Sequence, residues 1–224
     1  MEHKKESDTM SYDRDLTAHK LLRWEHYLNN YRLPAWKELP DIGLYMDQVI
    51  ALLGQYLDFI PVEDMKNDKP VAPTTINNYV RLKVMPAPEK RKYYRIHIAY
   101  LIMIFTLKQG ASINGIQKIL PPPDAGEEEV RTFYTGYIEQ LRTMCLLYID
   151  QIRGVAQEVL DPNRGSDAAE ALVIKCILIS ALARITGEKL LRLKNADPEA
   201  VLAQEKLNDE QGLHPMIPPL EGEG

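Results

Sequence analysis

The sequence has 224 residues, of which 45% are hydrophobic and 26% charged, and its formal net charge is −5. This composition is typical of a globular protein and excludes a chain that is disordered throughout. The two cysteines, Cys145 and Cys176, are too few for a disulfide scaffold, and neither has metal-ligand spacing to another cysteine or a histidine. We therefore expect no metal site, and no motif indicates a cofactor.

The N-terminal residues lack the apolar segment of a secretory signal. The longest apolar runs, Ile98–Leu107 and Ala171–Ala183, are shorter than the about 20 residues that a bilayer requires. We expect both runs to be buried helices of a soluble, cytoplasmic protein.

Apolar residues recurring at spacings of three and four predict an all-α fold, with no convincing strand pattern except at a basic turn, Glu89–Tyr94. The predicted helices are Asp15–Tyr31, Gly43–Asp58, Thr74–Lys83 with Thr74 as N-cap, Arg95–Gln109 with Gly110 at C′, a short helix from the Ser112 cap to Leu120, Glu127–Leu160, a helix from a Ser166 or Asp167 cap to Gly187, and Asp197–Leu207.

Prolines and polar residues separate these helices and indicate the domain organisation. Leu33–Pro40 is predicted to be an extended connector, Phe59–Pro73 a polar loop, and Asp161–Gly165 a helix break. The clearest boundary is Pro121–Gly126. We therefore predict a flexible tail at 1–14, an N-terminal domain at 15–122, a helical C-terminal region at 123–207 and a second tail at 208–224.

Charge is unevenly distributed along the chain. The segment from Thr74 to Lys118 contains eight basic residues and one acid, Glu89, and so carries +7, which leaves −12 for the remainder. This asymmetry is what an anion-binding module on an acidic body would show, although a solvated basic face without a partner is equally compatible with it.

The long helix Glu127–Leu160 has apolar residues at alternating steps of four and three, which is a heptad pattern. These residues, predicted to form a dimer interface, are Tyr134, Ile138, Leu141, Cys145, Tyr148, Ile152, Val155 and Val159. The alternative is a helix of an intramolecular bundle that packs on Ala171–Ile185.

The order of elements and three short motifs carry a resemblance to a known family. The first motif is Thr75-Ile76-Asn77-Asn78-Tyr79-Val80-Arg81-Leu82 followed by Val84-Met85-Pro86; the second is Lys92-Tyr93-Tyr94; the third is Gly110-Ala111-Ser112-Ile113-Asn114-Gly115-Ile116. Residues Thr74–Leu120 resemble the winged helix-turn-helix of MerR-type regulators. In that family a long dimerising helix follows, and the heptad pattern stands where that helix is expected.

The resemblance implies a recognition helix and a basic wing that contact duplex DNA. The residues implied are Thr74, Thr75, Asn77, Asn78, Tyr79, Arg81, Lys83, Lys90, Arg91, Lys92, Tyr93 and Arg95. Structural alternatives remain open: the two threonines can cap the helix, and Tyr79 and Tyr94 can pack in the core. The family usually has arginine at positions 74 and 77 and glycine at position 83.

The segment LPAWKELPDIGLYM, which includes Trp36–Met46, resembles a bacterial family known only as a domain of unknown function, number 1836. The sequence contains no catalytic constellation, and we expect the protein not to be an enzyme. We expect a dimeric, sequence-specific, DNA-binding transcriptional regulator. The alternative, favoured by the missing family arginines, is a protein-interaction or scaffold module that keeps the fold without DNA binding.

Overall fold

The computed structural model describes residues 12–60, 71–161, 163 and 167–211. Parts of four predicted segments lie outside the described residues. They are the first eleven residues of the N-terminal tail, positions 61–70 of the loop, most of the helix break and positions 212–224 of the second tail. The candidate cap Ser166 also lies outside the described residues.

The described part of the chain is all-helical, as predicted. Its helices are α1 (Arg14–Asn30), α2 (Met46–Tyr56), α3 (Pro73–Arg81), α4 (Arg95–Leu107), α5 (Ile113–Ile119), α6 (Glu127–Leu160), α7 (Asp167–Arg192) and α8 (Pro198–Glu210). A single 3-10 turn, Trp36–Glu38, precedes α2. Extended pairing within the described residues is limited to two isolated bridges, Leu44 with Tyr93 and Glu89 with Lys92. None of these helices is long and apolar enough to cross a membrane.

The main hydrophobic core is built around α4, whose residues from Ile98 to Ile104 are fully buried. Helices α2, α3 and α5 cover it, together with the first turns of α6. The Tyr134 hydroxyl on α6 donates a hydrogen bond to the carbonyl oxygen of Pro34 at 2.8 Å, and its ring lies edge-on to Trp36. The core therefore extends across the boundary predicted at Pro121–Gly126 and closes on α6.

Helix α1 packs along α6 and forms a second structural unit with α6 and α7. The Arg142 guanidinium on α6 donates to the carbonyl oxygens of Leu28, Asn29 and Tyr31 at 2.7–3.3 Å, which satisfies the open end of α1. Arg14 does the same for the end of α6 by donating to the Asp161 carbonyl oxygen at 2.8 Å. Each helix thus caps the other, and their antiparallel arrangement follows.

The predicted heptad residues face the interior of this single chain. Tyr134, Cys145, Ile152 and Val159 are buried, and Ile138, Leu141, Tyr148 and Val155 are partly buried. Leu28 of α1 packs on Cys145 and Ile149, and α7 packs on the last turns of α6. This packing matches the intramolecular alternative, but with α1 as the principal neighbour, which the sequence pattern did not indicate.

Several predicted helix ends are corrected. Helix α3 begins at Pro73 with Ala72 as N-cap, so Thr74 lies in the first turn and is not the cap. Proline fixes a φ value that suits the first helical position, which explains the earlier start. Gly110 lies beyond the C′ position of α4, whose C-cap is Lys108.

The tails and the end of α7 also differ from the prediction. Asp13 caps α1 through its carboxylate, so the predicted tail ends before this residue. Helix α7 continues past Gly187 to Arg192, and α8 continues to Glu210. The run Glu188–Arg192 consists of strong helix formers, which outweigh a single glycine.

Candidate nucleic-acid interface

Helix α3 presents a polar face to solvent. Thr74, Asn77 and Arg81 are exposed and Asn78 is partly exposed; they follow one another at helical spacings of three and four and so share one side of the helix. The Arg81 guanidinium donates to the Asn78 side-chain oxygen at 2.7 Å, which orients both groups. Thr75 is also partly exposed. This face offers hydroxyl, amide and guanidinium groups of the kinds that contact base edges and phosphates.

The opposite side of α3 fixes the helix to the core. Ile76 is fully buried, and Tyr79 is 1% exposed with its ring edge-on to Phe105 at 5.6 Å between centroids. Burial raises the pKa of the Tyr79 phenol to about 12. Its hydroxyl has no hydrogen-bond partner among the described residues. Tyr79 therefore packs in the core, as its structural alternative predicted, and does not contribute to the exposed face.

Lys83 ends α3 in a backbone conformation that usually requires glycine. Its φ is 54°, in the left-handed region, and the Val84 N–H donates to the Tyr79 carbonyl oxygen at 3.0 Å across the turn. This is the hydrogen-bond pattern of a Schellman motif, in which the left-handed residue is most often glycine. This chain therefore displays an exposed cation at a position where glycine is the most frequent residue.

The predicted basic turn is a tight two-residue hairpin. Glu89 and Lys92 exchange backbone hydrogen bonds of 3.0 and 2.9 Å, and the two residues between them, Lys90 and Arg91, have φ values of 48° and 65°. Two consecutive positive φ values are the signature of a type I′ turn, which normally carries asparagine and glycine. Side chains with a long stem are strained there, and strained residues cluster at functional sites. Both residues at the tip of this turn, Lys90 and Arg91, are exposed cations.

His97 holds the two arms of the hairpin together. Its Nδ1 accepts from the Tyr94 N–H at 3.0 Å, and its Nε2 lies 3.0 Å from the Ala87 carbonyl oxygen, to which the neutral Nε2–H tautomer donates. The ring is 2% exposed and also lies edge-on to Tyr93. The buried histidine therefore fixes the position of the turn.

Gly43 lets a second contact form between the hairpin and the segment before α2. Leu44 and Tyr93 exchange backbone hydrogen bonds of 2.8 Å in both directions. A Cβ atom on Gly43 would lie 2.8 Å from Cδ of Lys92 and 3.0 Å from Cζ of Tyr94. A larger residue at position 43 would therefore have to displace the side chains of Lys92 and Tyr94.

Three of the predicted wing residues are committed to contacts within the chain. The Lys92 ammonium lies over the Tyr45 ring, 5.4 Å from its centroid. Tyr93 is 2% exposed. Arg95 donates through Nε to the Leu39 carbonyl oxygen at 3.1 Å and pairs with Asp41 at 3.5 Å. These residues position the hairpin, and its surface cations are Lys90 and Arg91.

Four exposed cations of this region take part in no ion pair among the described residues, although Arg81 is hydrogen-bonded to Asn78. Within the described ranges, the ion pairs involve other residues and leave Arg81, Lys83, Lys90 and Arg91 without an acidic partner. The Gln117 amide on α5 donates to the carbonyl oxygens of Leu82 and Lys83 at 3.4 and 3.3 Å, which ties the end of α3 to α5. The polar face of α3, Lys83 and the hairpin tip are here called the basic surface.

The histidines and cysteines of other regions are not grouped into a second site among the described residues. His19 and His26 are exposed on α1 and border an open groove of about 750 Å³ between α1 and the end of α2. Cys145 is buried and Cys176 is partly buried, and burial raises the pKa of both thiols. No group of three or more histidine, cysteine or acidic residues in the described part of the chain is arranged to hold a metal ion.

Residues 34–137 match the family model described as Domain of unknown function (DUF1836), which confirms the resemblance seen around Trp36–Met46. The match begins beside Pro34 and ends shortly after Tyr134, the two residues whose hydrogen bond closes the main core. The matched range therefore coincides with the unit built around α4. No curated protein and no solved structure matches the chain.

Proposed function

We propose that the DUF1836 domain of this chain binds duplex DNA through the basic surface, and that the protein is a dimeric, sequence-specific transcriptional regulator. One observation carries the proposal: a short helix exposes a continuous polar face next to a tight turn that displays two cations without acidic partners. A helix of this kind reads base edges in the major groove, while cations beside it bind phosphates.

The order of elements supports a MerR-like winged helix-turn-helix. Helix α2, helix α3, a basic hairpin, α4, a short capped α5 and a long α6 follow one another as in that family. The left-handed φ at Lys83 supports the same alignment, because the family has glycine there. In this arrangement α3 is the recognition helix and Lys90–Arg91 is the tip of the wing.

Charge supports DNA as the ligand. The segment containing the basic surface carries +7 while the rest of the chain carries −12, so duplex DNA is attracted to one surface and repelled by the body. Such binding requires access to the chromosome, in agreement with the expected cytoplasmic location.

The test is a triple charge reversal at the exposed cations. The variant Lys83→Glu/Lys90→Glu/Arg91→Glu is titrated with labelled random-sequence duplex at several salt concentrations, next to the parent protein. Because each phosphate contact contributes about 0.9 to the slope of log affinity against log salt, loss of all three contacts lowers that slope by roughly 2.7. We expect at least a 100-fold loss of affinity at low salt.

A matched control changes the same net charge elsewhere: Lys20→Glu/Lys37→Glu/Lys206→Glu, all exposed and outside the basic surface. We expect it to retain most of the parent's affinity, and circular dichroism checks that both variants fold. Equal binding by the basic-surface variant and the parent contradicts the proposed surface. Absence of duplex binding by the parent at low salt supports the alternative, a protein-interaction or scaffold module.

A further inference from the structure

Helix α7 exposes a row of large aliphatic side chains. Its first turns are anchored on the other side by Ala168, Ala169 and Leu172, which are buried against α6 and α1. On the opposite side, five residues that share one face of the helix expose 47–65% of their surface: Ile174, Ile177, Leu178, Leu182 and Ile185. Lys175, seven residues before Leu182, lies at the edge of this face and pairs with Glu158 on α6 at 3.8 Å.

This row is large for a free surface. Five aliphatic residues about half exposed present on the order of 500 Å², which is near the upper limit of the largest apolar patch on an ordinary monomer, about 300–600 Å². A standard interface buries about 800 Å² on each partner. The charged residues at both ends of the same face extend the surface toward that value, so the area suits a stable protein partner.

The charged residues at the two ends of this face of α7 favour a second copy of the same helix as the partner. The face begins with two acids, Asp167 and Glu170, and ends with two bases, Lys189 and Arg192. All four are exposed, and among the ion pairs within the described ranges none involves them. Read in order, the face is acidic, then aliphatic, then mainly basic, with the half-buried Glu188 beside the two bases. An identical helix running in the opposite direction complements it at both ends, whereas a parallel copy places like charges together.

The register of such a pair follows from the positions. If residue i faces residue 359 − i of the second copy, Asp167 faces Arg192 and Glu170 faces Lys189. The same register places Ile174 opposite Ile185, and Leu178 opposite Ala181, in the centre. Both acid–base pairs and the aliphatic centre are satisfied together, as a two-fold interface requires. The steps between the five aliphatic residues along α7 are three or four, apart from the adjacent pair Ile177 and Leu178, as expected for residues that share one face of a helix.

We infer that a second copy of this chain packs antiparallel on this face of α7, which is here called the α7 face. The heptad residues of α6 are covered within the chain by the main core, by α1 and by α7, so the α7 face is a separate surface. The inference rests on the proposed function for its biological meaning, since a two-fold reader of DNA needs two chains. The proposed antiparallel arrangement of the two chains is argued from the residues of α7 alone.

The test uses two complementary charge-reversal variants. One, Asp167→Lys/Glu170→Lys, makes both ends of the face basic; the other, Lys189→Glu/Arg192→Glu, makes both ends acidic. In sedimentation equilibrium without DNA, we expect the parent to have twice the mass of one chain and each variant to dissociate at least ten times more readily. We expect an equimolar mixture of the two variants to recover a dimer of one chain of each kind.

A second pair of variants tests the aliphatic centre. Leu178→Asp places a carboxylate in the centre of the face, and Leu202→Asp on α8 is the matched control, because the two leucines are 55% and 58% exposed. We expect the first variant to be monomeric and the second to remain dimeric. Because both positions are exposed, neither change removes a core contact.

Three results would overturn the inference: a monomeric parent at tens of micromolar, a Leu178→Asp variant that is as dimeric as the parent, or charge-reversed variants that fail to form the mixed dimer. None of these results depends on DNA. Binding of the monomeric variant to a single half-site duplex tests the proposed function separately, so each proposal can fail without the other.

Discussion

Helices α3 and α7 each bury one side and expose the other, but the exposed sides are chemically opposite. The exposed side of α3 carries hydroxyl, amide and guanidinium groups, whereas that of α7 carries isoleucine and leucine. A polar face keeps its hydration until a polar ligand replaces it, while an aliphatic face gains free energy whenever it leaves water. This difference is the reason why we propose ligand recognition for α3 and self-association for α7.

The supporting structure differs in the same way. The hairpin beside α3 is held by two hydrogen bonds to His97, by the bridge between Leu44 and Tyr93 and by the close approach at Gly43. The hairpin contains two residues with positive φ, Lys90 and Arg91, and Lys83 at the end of α3 is a third. The α7 face is a regular helix with no such strain. Recognition of a ligand needs fixed positions for individual groups, whereas burial of aliphatic side chains depends mainly on area.

The largest effect that separates the two faces concerns inverted-repeat DNA. A Leu178→Asp variant should lose about 100-fold or more in affinity for an inverted repeat, because two linked half-sites bind far more tightly than one. Its affinity for a single half-site should remain that of the parent. Equal loss on both duplexes would mean that α7 influences the basic surface directly. Fluorescence anisotropy with the two duplexes checks this prediction.

Removal of the His97 ring should weaken the basic surface without affecting the dimer. In His97→Ala the Tyr94 N–H and the Ala87 carbonyl oxygen lose their partner, which costs roughly 2 kcal/mol in free energy of unfolding. We expect weaker DNA binding and an unchanged sedimentation mass. His26→Ala, on the exposed side of α1, is the control and should alter stability by less than about 0.5 kcal/mol. A dissociated dimer in His97→Ala would show that the faces are coupled.

Tyr79 should prove structural. Tyr79→Phe removes a buried hydroxyl without a partner among the described residues and should raise the free energy of unfolding by up to about 1 kcal/mol. DNA binding should not change. Burial raises the pKa of Tyr79 from 10.0 to about 12. Because the unfolded phenol ionises at the lower pH, its contribution to the free energy of unfolding of the parent is unaffected below pH 10 and falls as pH rises to 12, whereas the variant has no such loss at position 79. The advantage of the variant should therefore grow across that range in denaturant titrations.

The matched change Tyr134→Phe should have the opposite sign. This substitution removes the hydrogen bond to the Pro34 carbonyl oxygen and should lower the free energy of unfolding by about 1 kcal/mol. A destabilised Tyr79→Phe together with weaker DNA binding would return the Tyr79 hydroxyl to the set of DNA contacts.

The smallest effect on affinity is expected for Asn77, which is exposed on α3. Asn77→Ala should change which sequences are preferred while affinity for random duplex stays within about twofold, because base contacts specify and phosphate contacts hold. Asn78→Ala should behave similarly but also release Arg81 from its 2.7 Å hydrogen bond. Identical preferences in the parent and Asn77→Ala would exclude position 77 from base recognition.

Helix periodicity, caps and turn residues predicted most of the elements of this fold. The long helix Glu127–Leu160 was predicted with its observed bounds, and the Ser112 cap is confirmed by its hydrogen bond from the Gly115 N–H at 3.1 Å. The predicted N-cap of α3, Thr74, lies two residues after the observed N-cap, Ala72, because the helix begins at a proline, which suits the first helical position. Local patterns determine most of these helix ends to within a turn, and the end of α7, five residues beyond the predicted Gly187, is an exception.

Tertiary partners were less predictable. The apolar pattern of α6 showed that a face is buried, but the pattern is identical whether α1, α7 or a second chain covers it. Likewise, the sequence marked Lys92 and Arg95 as cations but gave no sign that Tyr45 and Asp41 lie beside them. The positive φ values of Lys90 and Arg91 were also hidden, since neither residue type favours that conformation.

The central claim is that α3 and the hairpin read DNA. Its most direct test is selection of bound duplexes from a random-sequence library by the purified protein, at low and at moderate salt. We predict enrichment of one inverted-repeat motif that survives moderate salt, and loss of that enrichment in the Lys83→Glu/Lys90→Glu/Arg91→Glu variant. Recovery of unenriched DNA only at low salt, or of no DNA at either salt, would contradict a sequence-specific regulator.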